Sequence, residues 1–245
     1  MGSPEAAPPP KRSKAGRPPR INRQMIAEAA HERGLDGLTL RDVADHLGVS
    51  IAALYHHVTS KDDLMRLAAE YSAARVPLPV DHGQHWAVWL YEWAEYNRSA
   101  FLAQPGLLAQ YLDGAIPVDV FAGRVDGALG ALVRQGFTIV EANDAYELVT
   151  SCALGTVVSA IREQGLAGEG RTTADALRDV VAGAPAGELP YVRRLLDPAS
   201  PGRAPFPERI ATVLCGIAVR RGADPAAIDA LVESAASSAS GAPTP

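Results

Sequence analysis

The chain has 245 residues and a formal net charge of −5, and 47% of its residues are hydrophobic. That is long enough to bury a core and suits one small unit plus one larger, with an apolar share ordinary for a globular protein. The longest uncharged apolar run, near residues 148–161, contains Thr, Ser and Gly and is too short and too polar to span a bilayer. The Pro-rich, basic start has no apolar stretch of the kind a secretory signal needs.

Residues 1–20 read as a disordered basic arm, because Pro4, Pro8, Pro9, Pro10, Pro18 and Pro19 block a helix and nothing there forms a core. Arg12, Lys14, Arg17 and Arg20 sit in or beside a stretch, residues 11–23, that has no acid. Residues 1–66 hold 10 Lys or Arg against 8 Asp or Glu, a net +2, and the remainder holds 13 against 20, a net −7. The overall negative charge therefore does not exclude nucleic acid, since screening limits reach to roughly 8 Å and a local basic footprint decides. Gly16-Arg17-Pro18 resembles the centre of an AT-hook, in which an extended Arg enters an A·T-rich minor groove, but Ala15 stands where such segments carry Arg. A solubilising tail with generic phosphate attraction is the other reading.

Helical spacing of Ile26, Ala29 and Ala30 predicts a helix from about Asn22 to Arg33. Thr39 and Asp42 form a capping box, Leu40, Val43, Ala44 and Leu47 one apolar face, and Gly48 the left-handed end of a second helix. Ser50 caps a third helix running through Ile51, Ala52, Ala53, Leu54, Tyr55, His56 and His57, with Leu54 and Val58 facing inward. Ser60 caps a fourth over residues 60–75, with Asp62 and Asp63 at its positive end. Two short helices about a Gly turn fit a helix-turn-helix that places its second helix in the major groove. On spacing alone, a surface αα-hairpin fits as well.

The segment Thr39, Gly48-Val49-Ser50, Leu54-Tyr55-His56-His57-Val58, Lys61 and Leu64 resembles the DNA-binding signature of tetracycline-repressor (TetR) family regulators, over roughly residues 20–68. The resemblance implies an all-α fold, with an N-terminal three-helix helix-turn-helix domain and a C-terminal helical domain for ligand binding and dimerisation. It also implies phosphate contacts from Tyr55, Lys61 and Thr39, with Ser50, Ala52, Ala53 and His56 near bases and Arg41 within reach of the duplex. The expected division is a basic arm at 1–20, the DNA-binding domain at 21–68, the effector and dimerisation domain at 69–232, and a disordered tail at 233–245.

Beyond Pro77 and Pro79, a long helix from about His85 to Gln104 carries Trp86, Trp89, Leu90, Trp93, Asn97 and Phe101 on or near one face. A bundle core and an aromatic ligand wall both fit that face. Short helices are expected from Pro105 to Leu112 and from Pro117 to Gly136. Residues 138–163 and 206–221 read as longer helices with small residues on one side, and the resemblance makes these two the dimer interface. Residues 165–188 read as a mobile loop with one possible helix at Thr173–Val181, followed by a short helix at Leu189–Leu196 and a weak one from Pro225 to Val232. Cys152 and Cys215 read as buried free thiols.

Gln135-Gly136-Phe137-Thr138 and Leu154-Gly155-Thr156-Val157-Val158 resemble the tetracycline-binding branch, whose His and acidic metal-chelate positions fall near Tyr111 and Ser159. Neither is a strong ligand for a hard cation, so no metal and no cofactor are expected. His56-His57 face different directions on a helix, and His82 and His85 lack a third ligand. Trp86, Trp89, Trp93, Tyr96, Asn97, Tyr111 and Tyr146 are the candidate ligand-binding residues, with Tyr91 and Gln110 as further polar anchors. The expected effector is a large, partly aromatic, uncharged or weakly charged molecule such as an antibiotic. No nucleophile elbow, phosphate-binding Gly-Lys-Ser/Thr loop or zinc-protease motif is present in the sequence, so no enzyme is expected. The reading is a cytoplasmic homodimeric repressor on palindromic double-stranded operator DNA. A DNA binder without effector and a helical small-molecule carrier remain open beside it.

Overall fold

The computed structural model describes residues 21–240 apart from 36, 76, 77, 115 and 117. The described residues form twelve α-helices and no strand. The basic arm and its Arg12, Lys14, Arg17 and Arg20 lie outside them, as do residues 241–245.

Four helices build the N-terminal unit: α1 (Arg23–Arg33), α2 (Leu40–Leu47), α3 (Ile51–Tyr55) and α4 (Lys61–Ala74). Each starts on a polar side chain that satisfies a free backbone N–H. Asn22 accepts from the Met25 N–H at 2.8 Å, and Thr39 and Asp42 form the reciprocal box. Ser50 and Ser60 cap α3 and α4. Gly48 closes α2 at φ 64°, ψ 36°, a left-handed conformation that costs glycine nothing. The third helix is shorter than its apolar spacing predicts. The N–H groups of His57 and Val58 both turn back to the Leu54 carbonyl, and the chain leaves the helix to reach the Ser60 cap.

The rest comprises α5 (Trp86–Ala103), α6 (Pro105–Leu112), α7 (Asp119–Arg134), α8 (Ile139–Gly168), α9 (Thr173–Gly183), α10 (Pro190–Leu195), α11 (Phe206–Arg220) and α12 (Pro225–Ser240). Helix α5 buries Trp86, Ala87, Trp89, Leu90, Tyr91, Trp93, Ala94, Tyr96 and Asn97, so it is the central rod on which α8, α11 and α12 pack. One apolar core surrounds the first half of α5. A second joins the interior of the N-terminal unit (Ile26, Val43, Leu54, Val58, Leu64) to Phe101, Leu107, Leu108, Ile116 and Val157 of the larger one.

Two regions differ from the sequence expectation. The Gly- and Ala-rich stretch 165–188 is mostly helical. α8 continues to Gly168, and a capping box of Thr172 and Asp175 starts α9, two hydrogen-bonding devices that offset the poor composition. The C-terminal helix runs past Val232 to Ser240 instead of fraying into a tail at 233. Ile228 and Val232 anchor it in the core, and Ala235 and Ala236 continue the same face. Cys152 and Cys215 are free thiols and half-buried. No helix among the described residues is long and apolar enough to cross a membrane.

Leu54 is fully buried, whereas its neighbour Tyr55 is 52% exposed. Leu54→Ala is expected to lower the unfolding free energy by about 2–5 kcal/mol, and Tyr55→Ala to change it by less than about 0.5 kcal/mol. Chemical denaturation of the two variants checks the pair.

Candidate nucleic-acid interface and ligand cavity

The core holds Leu54 and Val58, and that fixes which side of α3 faces outward. Ser50, Ala52, Tyr55 and His56 are exposed, and so are Thr39, Arg41 and Lys61 around them. Ala53 is only half-exposed and packs against the core, so it lies less open than its spacing implied. Tyr55, His56 and Lys61 form no ion pair or side-chain hydrogen bond with any described residue. Three other residues are engaged locally. Thr39 donates both its N–H and its hydroxyl to Asp42, at 2.9 and 2.6 Å. The Arg41 guanidinium sits 4.0 Å from Asp45, on the exposed face of α2. The Ser50 hydroxyl oxygen caps Ala53 at 3.2 Å and keeps its proton to donate.

This face is braced from behind. Arg23 of α1 donates to the Asp63 carboxylate at 2.9 Å and to the His57 carbonyl at 2.5 Å, tying α1 to the start of α4 and the end of α3. The Arg23 hydrogen bond and that of the Thr59 N–H hold the Asp63 carboxyl down to about 2. Sequence reasoning missed this brace, because Arg23 and Asp63 lie 40 residues apart.

A cavity of about 390 Å³ opens in the larger unit, between α5, α6, α7 and α8. Its wall is aromatic. Trp93 lies 5.4 Å from both Tyr96 and Tyr146, and Tyr111 lies 5.7 Å from Phe101 and 5.5 Å from Phe121. Asn97, Thr150, Arg124 and Glu147 are its polar members. The Trp93 indole N–H donates to Thr150 at 3.0 Å and the Asn97 amide to the Trp93 carbonyl at 2.8 Å, which fixes the wall. Burial, then the nearby Tyr111 and Glu147, push the Tyr146 hydroxyl up to about 12. Burial raises Tyr96 as well, against the opposing Arg124 guanidinium.

Of the candidate ligand-binding residues, Trp93, Tyr96, Asn97, Tyr111 and Tyr146 line this cavity. Trp86 and Trp89 do not. Trp86 packs edge-on against Phe137, and Trp89 stacks behind Trp93 at 5.8 Å, so both belong to the apolar core. The three Trp share a face but not a level: the cavity meets only the C-terminal half of α5, from Trp93 to Phe101, and Trp86 and Trp89 lie on the turns before it. Tyr91 and Gln110 also lie elsewhere, Tyr91 against Phe206. Ser159 bonds Gly155 and Arg203 and lines a separate shallow groove, so it does not meet Tyr111. Among the described residues, no three His, Cys, Asp or Glu side chains cluster as metal ligands would. The face of α7 that closes the cavity was overlooked. Phe121, Arg124 and Val125 recur at helical spacing, a signal the sequence carries.

Helix α4 reaches both places. Its buried Leu64, Met65 and Ala68 pack chiefly on α1 and share one core with Leu54 and Val58, and Ala69 forms part of the cavity wall. Arg66 pairs with Asp119 at the start of α7. On the opposite side, His31 of α1 bonds Ser72 of α4 at 2.8 Å, and Gln104 approaches the same ring at 3.4 Å.

Residues 26–68 match the family described as bacterial regulatory proteins, tetR family. Over 208 residues the chain is 32% identical to the tetracycline repressor protein class A from transposon 1721 of Escherichia coli, across 78% of this chain and 86% of that one. The chain belongs to the tetR family. It is therefore a helix-turn-helix regulator of transcription. An HTH-type transcriptional regulator of Saccharopolyspora erythraea is 29% identical over 69% of this chain and 74% of its own length. Among solved structures of the family's fold, the protein ActR of Streptomyces coelicolor in complex with actinorhodin superposes with a TM-score of 0.64. It is 22% identical and covers 82% of this chain and 99% of its own. A repressor from Acinetobacter baumannii AYE in complex with minocycline gives 0.50 at 25% identity, over 61% and 87%.

Burial, then the Arg75 guanidinium, hold the His31 imidazole below its usual range, and burial does the same to His85. The folded chain thus prefers these rings neutral, while the unfolded chain takes up protons as the pH falls through about 6.5. Stability is full above that value and is lost as the pH drops from there toward the depressed folded values. Melting temperatures measured between about pH 7.5 and 5.5 are expected to fall with acidity, and His31→Gln to flatten that slope.

Proposed function

We propose that the chain is a homodimeric, ligand-released repressor, cytoplasmic and acting on palindromic operator DNA. The observation that carries this is the shared use of α4, which enters the core beneath the outward face of α3 and walls an aromatic cavity at Ala69. Tyr55 and Lys61 grip phosphate, while Ser50, Ala52 and His56 lie against base edges, where small side chains permit close approach. Thr39 contributes through its cap more than through a free hydroxyl, since Asp42 already takes that proton. Arg12, Lys14, Arg17 and Arg20 add phosphate or minor-groove contacts from the arm.

An exposed apolar stripe supports the dimer. On α8, Val140, Leu148 and Val158 are 66%, 49% and 47% exposed, with Ser151 and Gly155 between them. On α11, Val219 is 63% exposed beside Gly216. Apolar stripes flanked by small residues on two long helices mark a helix-packing face. A two-fold axis through it pairs the recognition helices for two half-sites.

Trp93, Tyr96, Asn97, Tyr111 and Tyr146 receive the effector. A ligand that fits the cavity better in one setting of α4 than in another shifts the spacing of the recognition helices, and it does so only through that difference in affinity. The minocycline complex of the Acinetobacter relative supports an aromatic drug-like ligand here.

Anisotropy titration with labelled DNA flanking the chain's own gene tests the reading. Lys61→Ala is expected to weaken binding on any sequence and to lower the salt slope by about one unit. Unchanged affinity for a Tyr55→Ala, Lys61→Ala double variant would falsify the DNA assignment. Introducing glutamate at Leu148 and Val158 together is expected to yield a monomer by sedimentation and to abolish tight operator binding.

A further inference from the structure

One cation in the cavity has no bonded partner among the described residues. Arg124 of α7 lines the aromatic wall, half-buried, and forms no ion pair or hydrogen bond with any described residue. Nine of the other seventeen described Lys and Arg side chains form ion pairs, among them Arg23 with Asp63, Arg66 with Asp119, Arg98 with Glu95, Arg134 with Asp81, Arg178 with Asp175 and Arg221 with Glu141. The guanidinium lies close enough to the buried Tyr96 hydroxyl to act on it electrostatically. Glu147, the cavity's carboxylate, sits on α8 and is exposed, where water and salt screen it. A half-buried guanidinium against an apolar wall presents a planar fork of donors where the effective dielectric is low, and such a fork fits a carboxylate or an ionised phenol.

We propose that the effector is a planar aromatic anion, its rings against Trp93, Tyr96, Tyr111 and Phe121 and its negative oxygen on Arg124. This rests on the cavity being the effector site and deepens it. It departs from the uncharged or weakly charged molecule that the sequence led us to expect. In this arrangement the aromatic wall supplies affinity for flat ring systems in general, because stacking is indifferent to charge. Arg124 supplies the choice among them. A neutral ring of equal size leaves the guanidinium partly desolvated and unpaired, and a cationic one is repelled by it.

The test uses the full-length protein and three probes with one ring system: anthraquinone-2-carboxylate, its neutral carboxamide and its cationic aminomethyl analogue. Dissociation constants come from quenching of the tryptophan fluorescence, to which Trp93 in the cavity wall contributes. The carboxylate is expected to bind about tenfold tighter than the carboxamide, or more, and the amine to bind weakest. Arg124→Gln is expected to erase the preference for the acid while the carboxamide still binds, and Arg124→Lys to keep part of it. Circular dichroism shows that each variant is folded. If acid and amide bind alike to the unaltered protein, or the preference survives Arg124→Gln, the proposal fails while the aromatic cavity stands. Tightest binding by the amine overturns it in favour of Glu147. If no probe quenches, the cavity reading falls with it.

Discussion

Everything in this molecule that resembles a switch depends on the burial of one face of α4. Leu64, Met65, Ala68 and Ala69 leave almost no surface to water. Leu64 and Met65, at about 1.5–3 kcal/mol each for a large apolar side chain, lock the helix to α1 and into the core it shares with Leu54 and Val58. Ala69, at the other end of the stripe, is short enough to leave the cavity open. A larger residue there would fill the space that a ligand needs. The same stripe thus enters the core that Leu54 of α3 and Val58 just past it also enter, and walls the cavity at Ala69, so one rigid helix touches both places.

Ionic and polar links set the direction in which such a helix can move. Its N-terminus is held by Asp63, which Arg23 of α1 and the Thr59 N–H keep ionised. Its middle is tied to α7 by Arg66 and Asp119, and its last turns to α1 and Gln104 through Ser72 and His31. Exposed pairs of this kind contribute little stability. Their effect is geometric. Asp119 opens the helix that carries Phe121 and Arg124, so a ligand drawing α7 inward through those side chains pulls on α4 through Arg66. Within close-packed cores, such small shifts select between discrete packings.

Much of this was legible in the sequence, and the reasons differ by element. The helix-turn-helix was readable because its information is local: Thr39 with Asp42, Gly48 and Ser50 each act on backbone groups within three or four residues. The central position of α5 was half legible. Its aromatic content showed, but Trp86, Trp89 and Trp93 share one helix face, and spacing along that face does not say which of them meets the core and which the cavity. Trp93 therefore could not be told from Trp86 and Trp89 until α8 supplied Thr150 as the partner of its indole. Helix α9 and the last turns of α12 were under-read because composition outweighed devices that the sequence did display, namely the Thr172–Asp175 cap and the apolar series Ile228, Val232, Ala235. The Arg23–Asp63 brace and the isolation of Arg124 depend on contacts between distant segments and were not legible at all.

Amide hydrogen exchange along α4, residues 61–74, tests the central claim most directly. It is measured in the free protein, with operator DNA bound, and with the cavity filled by anthraquinone-2-carboxylate. The shared-helix account expects exchange to slow when DNA holds α3 and to shift in the opposite sense when the cavity fills, with the largest change between Leu64 and Ser72. Identical exchange along α4 in all three states, with both partners demonstrably bound, would contradict it.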